Sequence, residues 1–330
     1  MKIGFFELKK WEEDYFKEKL KAHKLYFSHN SLSSTNVNNV KDIELAVCFI
    51  YSDLNSSIME KLKKLKFIAT MSTGFDHIDI NYCKKNNIKV SNVPFYGENT
   101  VAEHTFALIL ALSRKIYEAI ERTKRDDFSI SGLGGFDLKR KTIGIIGPGH
   151  IGQHVIKIAN GFGMKVIAYS PHQDKKLSKK LNFRWVSLDK LLKESDIITI
   201  HVPLNENTKH MLNLNNIKNI KKGAYLINTS RGEVIDTDAL LYALDNNILA
   251  GAGLDVLEGE EDIKEERELL HKETRDLETF LQNHLLLKEK NVIVTPHCAF
   301  YTQEALQRIL DTTLNNIKAF LKGKSLNKIV

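Results

Sequence analysis

An apolar run, Thr142–Ile146, ends at Gly147-Pro148-Gly149-His150-Ile151-Gly152 and passes directly into a helix-period stretch that reaches about Asn160. A second apolar run, Lys165–Tyr169, follows. Strand, glycine turn, helix and parallel strand make one right-handed βαβ unit, which narrows the fold to open α/β sheets. Gly147 permits a tight turn, Gly149 lets the backbone approach a pyrophosphate, and Gly152 allows close helix–strand packing. The N–H groups that open the helix face the same anion. A bare G-x-G-x-x-G pattern says little, but this context predicts a dinucleotide-binding loop. His150 and His154 lie four apart; with no carboxylate or third ligand nearby in sequence, a metal pair is not expected.

Short β-rich runs alternate with helical patterns through the rest of the chain. Lys2–Phe6, Leu45–Ile50, Phe67–Met71 and Ile88–Val90 read as strands, with helical stretches such as Trp11–Lys21 and Ser56–Leu65 between them. After Lys141 a second series reads Thr142–Ile146, Lys165–Tyr169, Asp196–Ile200, Tyr225–Asn228, Ala250–Asp255 and Val292–Thr295. These runs are apolar throughout rather than alternating, as in strands covered by helices on both faces. The pattern predicts two α/β units, the second a six-stranded doubly wound sheet. One long helix is expected from Thr100 to about Lys124, and another over Gln303–Leu321. The simplest arrangement inserts the second unit into the first, with crossings near residues 98 and 298. One unit then spans 1–98 plus 299–330, and the other 99–298. Residues 258–290 are charged, helical in pattern and longer than an ordinary connection.

Composition bounds the function classes. The 330 residues are 42% hydrophobic and 27% charged, which suits a globular chain and not a disordered one. The longest apolar run, Phe106–Leu112, falls far short of the ~18 residues a membrane span needs. The net charge is 48 − 41 = +7, but the lysines are scattered over helices and form no basic block. A solvated surface that draws in small anions is expected, with no nucleic-acid partner. The N-terminus shows no signal-peptide pattern. Cys48, Cys83 and Cys298 are an odd, widely spaced set, so no disulfide framework and a cytoplasmic location are expected.

Three strands of the second series run into polar residues that suit redox chemistry on a 2-oxo acid. Tyr225–Asn228 leads to Thr229-Ser230-Arg231-Gly232, Ala250–Leu254 to Asp255 and on to Glu260, and Val292–Thr295 to Pro296-His297-Cys298. An arginine clamps a carboxylate bidentately and polarises the carbonyl beside it. A histidine exchanges a proton with the carbonyl oxygen, and a glutamate beside the ring fixes its orientation. Cys298 is poorly placed to pair with His297, because neighbours on an extended segment point to opposite sides.

With these segments, nearly the whole chain resembles the NAD-dependent D-2-hydroxyacid dehydrogenases, most closely their D-lactate dehydrogenase branch. Thr73-Gly74-Phe75-Asp76-His77-Ile78-Asp79, Val101-Ala102-Glu103-His104-Thr105, His201-Val202-Pro203-Leu204 and Thr295-Pro296-His297 carry the resemblance alongside the loops above. It implies a flavodoxin-like substrate domain with an inserted Rossmann domain. Arg231 would orient the substrate carboxylate, His297 would be the general acid/base, and Glu260 its partner. The turn at Thr73 and Gly74 would hold the carboxylate by backbone N–H groups. Tyr51, Tyr96, Phe300 and Tyr301 would line the substrate pocket. His150, Ile151, His201, Val202, Pro203, Thr208, Thr229, Ser230 and Asp255 would join Gly147, Gly149 and Gly152 around the cofactor. A homodimer is implied, with the helix near 100–124 at its interface. Glu260 separates the chain from formate dehydrogenases, which carry glutamine there.

The implied reaction is reduction of pyruvate to D-lactate with NADH. Phenylpyruvate, branched 2-oxo acids and glyoxylate or hydroxypyruvate are the neighbouring substrates, and a non-catalytic NAD(H)-sensing corepressor is the rival class. One position departs from the family pattern. Where NAD-specific relatives carry an acid at the end of the second Rossmann strand, this chain has Ser170. Nothing there repels a 2′-phosphate, so NADP is also expected to be accepted, with NAD preferred.

Overall fold

The computed structural model describes residues 1–260 and 274–330. The chain divides into two compact units, Met1–Tyr96 with Thr302–Val330, and Gly97–Tyr301. None of its described helices is long and apolar enough to cross a membrane.

The first unit is a five-stranded parallel sheet of β1 (Lys2–Phe6), β2 (Lys24–Ser28), β3 (Leu45–Cys48), β4 (Phe67–Thr70) and β5 (Lys89–Ser91) in the order β2-β1-β3-β4-β5. This is the flavodoxin-like order, with its switch point between β1 and β3. Strand β2 was not expected from the sequence. It is a half-buried edge strand whose apolar run is only Leu25-Tyr26-Phe27, between Lys24 and Ser28. Helices α1 (Lys10–Lys19), α2 (Ser56–Met59) and α3 (Ile80–Lys85) supply the crossovers. Helix α2 stops well short of the expected Leu65. Phe6, Leu54, Ile68 and Val90 belong to one buried cluster, each such side chain contributing about 1.5–3 kcal/mol. The helix Gln303–Leu321 closes this unit, with Phe320 stacked on Phe67 at 4.4 Å.

The second unit begins with α4 (Glu98–Ser113) and α5 (Ile116–Thr123). The single helix expected here is broken at Lys115, whose backbone is left-handed (φ 49°). The sheet that follows has seven parallel strands, not six. They are β6 (Thr142–Ile146), β7 (Lys165–Tyr169), β8 (Arg184–Trp185), β9 (Ile197–Ile200), β10 (Ala224–Asn228), β11 (Leu249–Leu254) and β12 (Val292–Val294). Their order is β12-β11-β10-β9-β6-β7-β8, a Rossmann arrangement with a further strand at one edge. The further edge strand is β12, whereas the strand that the sequence did not show is β8, two residues long and too short to leave a pattern. Helices α6 (His150–Gly161), α7 (Lys175–Leu181), α8 (Leu188–Glu194), α9 (Thr237–Asp245) and α10 (Thr274–Lys288) complete the unit. Of the charged stretch 258–290, residues 261–273 lie outside the described residues.

Strand register aligns the functional edge. Tyr169, Ile146, Ile200, Asn228, Leu254 and Val294 form one row across six strands. The residues immediately after that row are Ser170, Gly147, His201, Thr229, Asp255 and Thr295. Parallel strands thus deliver distant parts of the sequence to one carboxyl edge, where open α/β sheets bind ligands.

Candidate active site

His297, Glu260 and Arg231 come from three adjacent strands of the second unit. The ring of His297 is hydrogen-bonded through Nδ1 to Glu260 Oε1, and both side chains are about four-fifths buried. His297 is left-handed (φ 49°), a conformation that costs a non-glycine residue about 1 kcal/mol. Its N–H donates to the carbonyls of Asp255 (2.8 Å) and Thr295 (2.9 Å). The Asp255 carboxylate, 1% exposed, accepts the Thr295 hydroxyl (2.5 Å) and the N–H groups of Cys298 and Ala299 (2.9 Å each). These bonds over-determine the turn that presents the imidazole.

The Arg231 loop is closed by Asn228, whose Oδ1 accepts the Ser230 N–H (3.0 Å) and hydroxyl (2.8 Å). Its amide donates to Arg231 O (2.8 Å). Gly232 then allows a close approach. A Cβ there would lie 2.0 Å from Leu257 C and 2.2 Å from Glu258 N. No other residue lets the arginine loop rest against the segment that leads to Glu260. Burial pushes the neighbouring Glu233 carboxyl up, and the Glu258 and Glu260 carboxylates add to the shift.

A groove of about 410 Å³ opens at the carboxyl ends of β6, β7 and β9. Gly147, Gly149, Ser170, His201, Val202, Pro203 and Thr208 line it, together with Pro148, Asp174, Trp185 and Asn205. Gly147 sits at φ 86°, and a Cβ on it would meet His201 O at 2.6 Å; Gly149 faces open space. The Nδ1 atom of His201 is buried with no hydrogen-bond partner among the described residues, while Nε2 lies 2.9 Å from Thr199 Oγ1. Burial pushes this imidazole down to about 3, so it is neutral. An orphaned polar atom, a glycine-lined wall and a helix N-terminus suit a dinucleotide.

The family model for the D-isomer specific 2-hydroxyacid dehydrogenase, NAD binding domain, matches residues 106–299. The chain belongs to the D-isomer-specific 2-hydroxyacid dehydrogenases. A 2-hydroxyacid dehydrogenase homolog of Zymomonas mobilis is 36% identical over 99% of this chain and 98% of its own length. A glyoxylate reductase of Thermococcus litoralis is 38% identical over 86% of this chain and 82% of its own length. The crystal structure of D-lactate dehydrogenase from Aquifex aeolicus, complexed with NAD and lactic acid, superposes with a TM-score of 0.90. It shares 40% identity and covers 97% of this chain and 96% of that one.

As a D-2-hydroxyacid dehydrogenase, the protein is an NAD-binding oxidoreductase that acts on CH–OH groups. Within the groove the expected cofactor residues divide. His150, Ile151, Gly152, Thr229, Ser230 and Asp255 lie outside its lining. Gly152 supports the loop from behind, where a Cβ would meet Gly147 O at 2.5 Å. The Thr229 hydroxyl lies 3.1 Å from Thr105 in helix α4, and the Asp255 carboxylate serves the His297 turn. Thr208 donates to Pro203 O (2.6 Å) and so shapes the wall it lines.

Some side chains that build the dehydrogenase site were not foreseen. Asn283 of α10, fully buried, donates to Glu258 O at 2.8 Å. His104 of α4 lies 3.1 Å from Thr295 Oγ1 and 3.5 Å from Asp255 Oδ1. The expectation that His150 and His154 have no carboxylate nearby is corrected. Glu98 places its two oxygens 3.1 Å from His150 Nδ1 and 3.6 Å from His154 Nε2. Glu98 is 52 positions before His150, beyond the reach of local spacing. Among the described residues, His104, Asp255 and Cys298 also bring potential ligand atoms within 4.8 Å of one another. Burial and the adjacent Asp255 carboxylate push the Cys298 thiol up, which disfavours the thiolate a nucleophile needs.

The remaining expected residues lie in two places. Phe300 and Tyr301 end the second unit as an edge-to-face pair, centroids 5.8 Å apart. Tyr51, Thr73, Gly74 and Tyr96 belong to the first unit. There Arg308 donates to Tyr96 O (2.7 Å), Thr73 donates to Val93 O (2.9 Å), and Asn92 donates to Thr73 O (2.8 Å). Ser72 donates to Gly74 O (2.6 Å). The N–H groups of Thr73 and Gly74 have no acceptor among the described residues. A fixed turn with two open donors has the make-up of an anion-binding concavity.

Proposed function

We propose that this dehydrogenase reduces pyruvate, or a slightly larger 2-oxo acid, to the D-2-hydroxy acid with NADH. The hydrogen-bonded His297–Glu260 pair, with Arg231 following a strand at the same sheet edge, carries the reading. Glu260 engages Nδ1 and fixes the ring, which leaves Nε2 to give a proton to the substrate carbonyl oxygen. The Arg231 guanidinium clamps the substrate carboxylate and polarises the adjacent carbonyl. The open N–H pair at Thr73 and Gly74 suits a carboxylate as well. Bound NADH supplies the reducing equivalent at the carbonyl carbon. Gly147, Gly149, Ser170, His201 and Pro203 hold it in the groove, where orientation supplies most of the rate.

The likeness to the lactate dehydrogenase of Aquifex aeolicus, together with the aromatic pair Phe300–Tyr301, favours pyruvate over glyoxylate. Oxidation of NADH with pyruvate, glyoxylate, phenylpyruvate and 2-oxoisocaproate tests this directly. Pyruvate should give the highest kcat/KM, and absence of turnover with every acid overturns the reading. The exposed apolar side chains Ile116, Tyr117 and Ile120 on α5, followed by Phe128 and Ile130, support a homodimer. The three cysteines are free thiols, two of them buried, in keeping with a cytoplasmic protein.

A further inference from the structure

At the carboxyl edge of the first unit, directly after β1, Glu7 is held in the left-handed region (φ 66°) with its carboxylate turned inward. Glu7 Oε1 accepts the N–H of Tyr51 at 2.8 Å. Oε2 accepts the N–H of Phe49 at 3.1 Å and the hydroxyl of Ser52 at 2.5 Å. Ser52, itself fully buried, accepts the N–H of Leu32 at 2.9 Å, and the Glu7 N–H donates to Asn30 O at 3.3 Å. One carboxylate therefore ties together the chain after β1, β2 and β3, across the switch point where ligands bind in sheets of this order.

Nothing in the fold alone demands this arrangement. A left-handed glutamate is strained, and burial pushes its carboxyl up despite the hydrogen bonds it accepts. Both penalties fall on a residue that packs no hydrophobic core. What they secure is local. Register pairs Phe5 with Val47 and Cys48 with Thr70, so the loop after β3 and the Thr73–Gly74 turn after β4 leave the sheet at one level. By holding the N–H groups of Phe49 and Tyr51, Glu7 sets the backbone that carries two rings in an edge-to-face pair, centroids 6.2 Å apart. The Tyr51 ring remains half exposed while its backbone is fixed.

We propose that Glu7 is a positioning residue for substrate selection: its carboxylate fixes the 49–52 loop and thereby the Tyr51 ring against the side chain of the 2-oxo acid. The inference rests on the reading of the protein as a 2-oxo acid reductase. Each carboxylate oxygen already accepts at least one donor, so a carboxylamide at position 7 would face an N–H or O–H with its own NH2. An aspartate would fall one methylene short.

Steady-state kinetics of the full-length enzyme and of Glu7→Gln, Tyr51→Leu and the double variant, with pyruvate, 2-oxoisocaproate and phenylpyruvate, test the inference. Glu7→Gln should raise KM for pyruvate about tenfold, the loss expected for hydrogen bonds to a charged group. It should change the pyruvate-to-phenylpyruvate ratio of kcat/KM about fivefold and leave KM for NADH unaltered. In the Tyr51→Leu background, Glu7→Gln should move that ratio no further. A merely structural glutamate would lower the melting temperature, leave the ratio between acids unmoved and act additively with Tyr51→Leu; that outcome overturns the proposal. Should Glu7→Gln fail to fold, Ser52→Ala removes one donor from the same carboxylate, and an unchanged ratio there is equally fatal. A parent enzyme that reduces no 2-oxo acid would sink the functional reading and this inference with it. A parent that reduces pyruvate while Glu7→Gln keeps its selectivity sinks only the latter.

Discussion

The side chain of Asn283 donates to the backbone carbonyl of Glu258, two residues before the carboxylate that holds His297. The helix that lies between Glu260 and His297 in the chain thus anchors the acidic segment that leads to Glu260. Asn283→Ala would leave a buried carbonyl without its donor, costing about 1–3 kcal/mol of stability. Because Glu260 would loosen with it, kcat for pyruvate should fall while KM for NADH holds. Thermal melting and steady-state kinetics on the same preparation check both effects.

On the proposed reading, Arg231→Ala removes the carboxylate clamp together with the polarisation of the carbonyl. KM for pyruvate should rise and kcat fall in the same variant. His297→Ala should lower kcat by about 10²–10⁴, the usual worth of a positioned acid, with NADH binding intact by fluorescence titration. An Arg231→Ala enzyme with near-parental pyruvate kinetics would reverse the assignment.

His201 links acid stability to the cofactor wall. Its imidazole is pushed from the ordinary 6.5 down to about 3 by burial, so the unfolded chain takes up this proton before the folded one does. The contribution is intact above pH 6.5 and is lost as pH falls towards 3, at roughly 1.4 kcal/mol per pH unit. Urea unfolding of the apoprotein between pH 7 and 4.5 should therefore show a shallower decline for His201→Asn than for the parent. Parallel pH dependences would show that His201 protonates freely in the fold.

Ser170 and Asp174, an acid four positions later, line the same groove. The Asp174 carboxylate caps α7 by accepting the Lys176 N–H at 2.7 Å, and the Trp185 indole donates to its carbonyl at 3.0 Å. The parent should use both NADH and NADPH with a modest preference for NADH. Ser170→Asp should strengthen that preference by like-charge rejection of the 2′-phosphate, and Asp174→Asn, which preserves the cap, should weaken it. The ratio of kcat/KM for the two cofactors reads all three proteins. A parent that already rejects NADPH more than about a thousandfold, roughly 4 kcal/mol, would place selectivity elsewhere.

Phe128 and Ile130 are 77% and 85% exposed, well beyond what single scattered apolar residues explain when α5 adds Ile116 and Ile120 beside them in sequence. If this face joins two copies, Ile120→Asp with Phe128→Asp should halve the mass seen by sedimentation equilibrium. A parent that sediments as a monomer ends the proposal.

The carboxyl edge of the Rossmann sheet was legible in sequence because six of its seven strands are short, largely apolar runs, five of them followed at once by a polar residue. Arg231, Glu260 and His297 stood out at such ends, and the glycine loop announced its own turn. What escaped was set by contacts between distant segments. Strand β8 is two residues long, and β2 is a half-buried edge strand with only three apolar residues between Lys24 and Ser28. Helices α4 and α5 read as one because nothing in Arg114-Lys115 marks a left-handed break. Glu7, Glu98 and Asn283 look like solvated polar residues until the fold turns them inward. Asp255, expected at the cofactor, also has a structural role that sequence did not show: its carboxylate supports the His297 turn.

The first unit is discontinuous, and this gives the two units different histories during synthesis. Residues 97–301 are contiguous and can fold as soon as they leave the ribosome. The sheet of the first unit is translated earlier but lacks its covering helix until residues 302–330 emerge. Only then does Phe320 stack on Phe67, Asn316 donate to Asn92 O, and Ile329 donate to Val90 O at 2.8 Å. A nascent chain halted after Tyr301 would thus carry a complete nucleotide-binding unit beside an apolar sheet still open to chaperones.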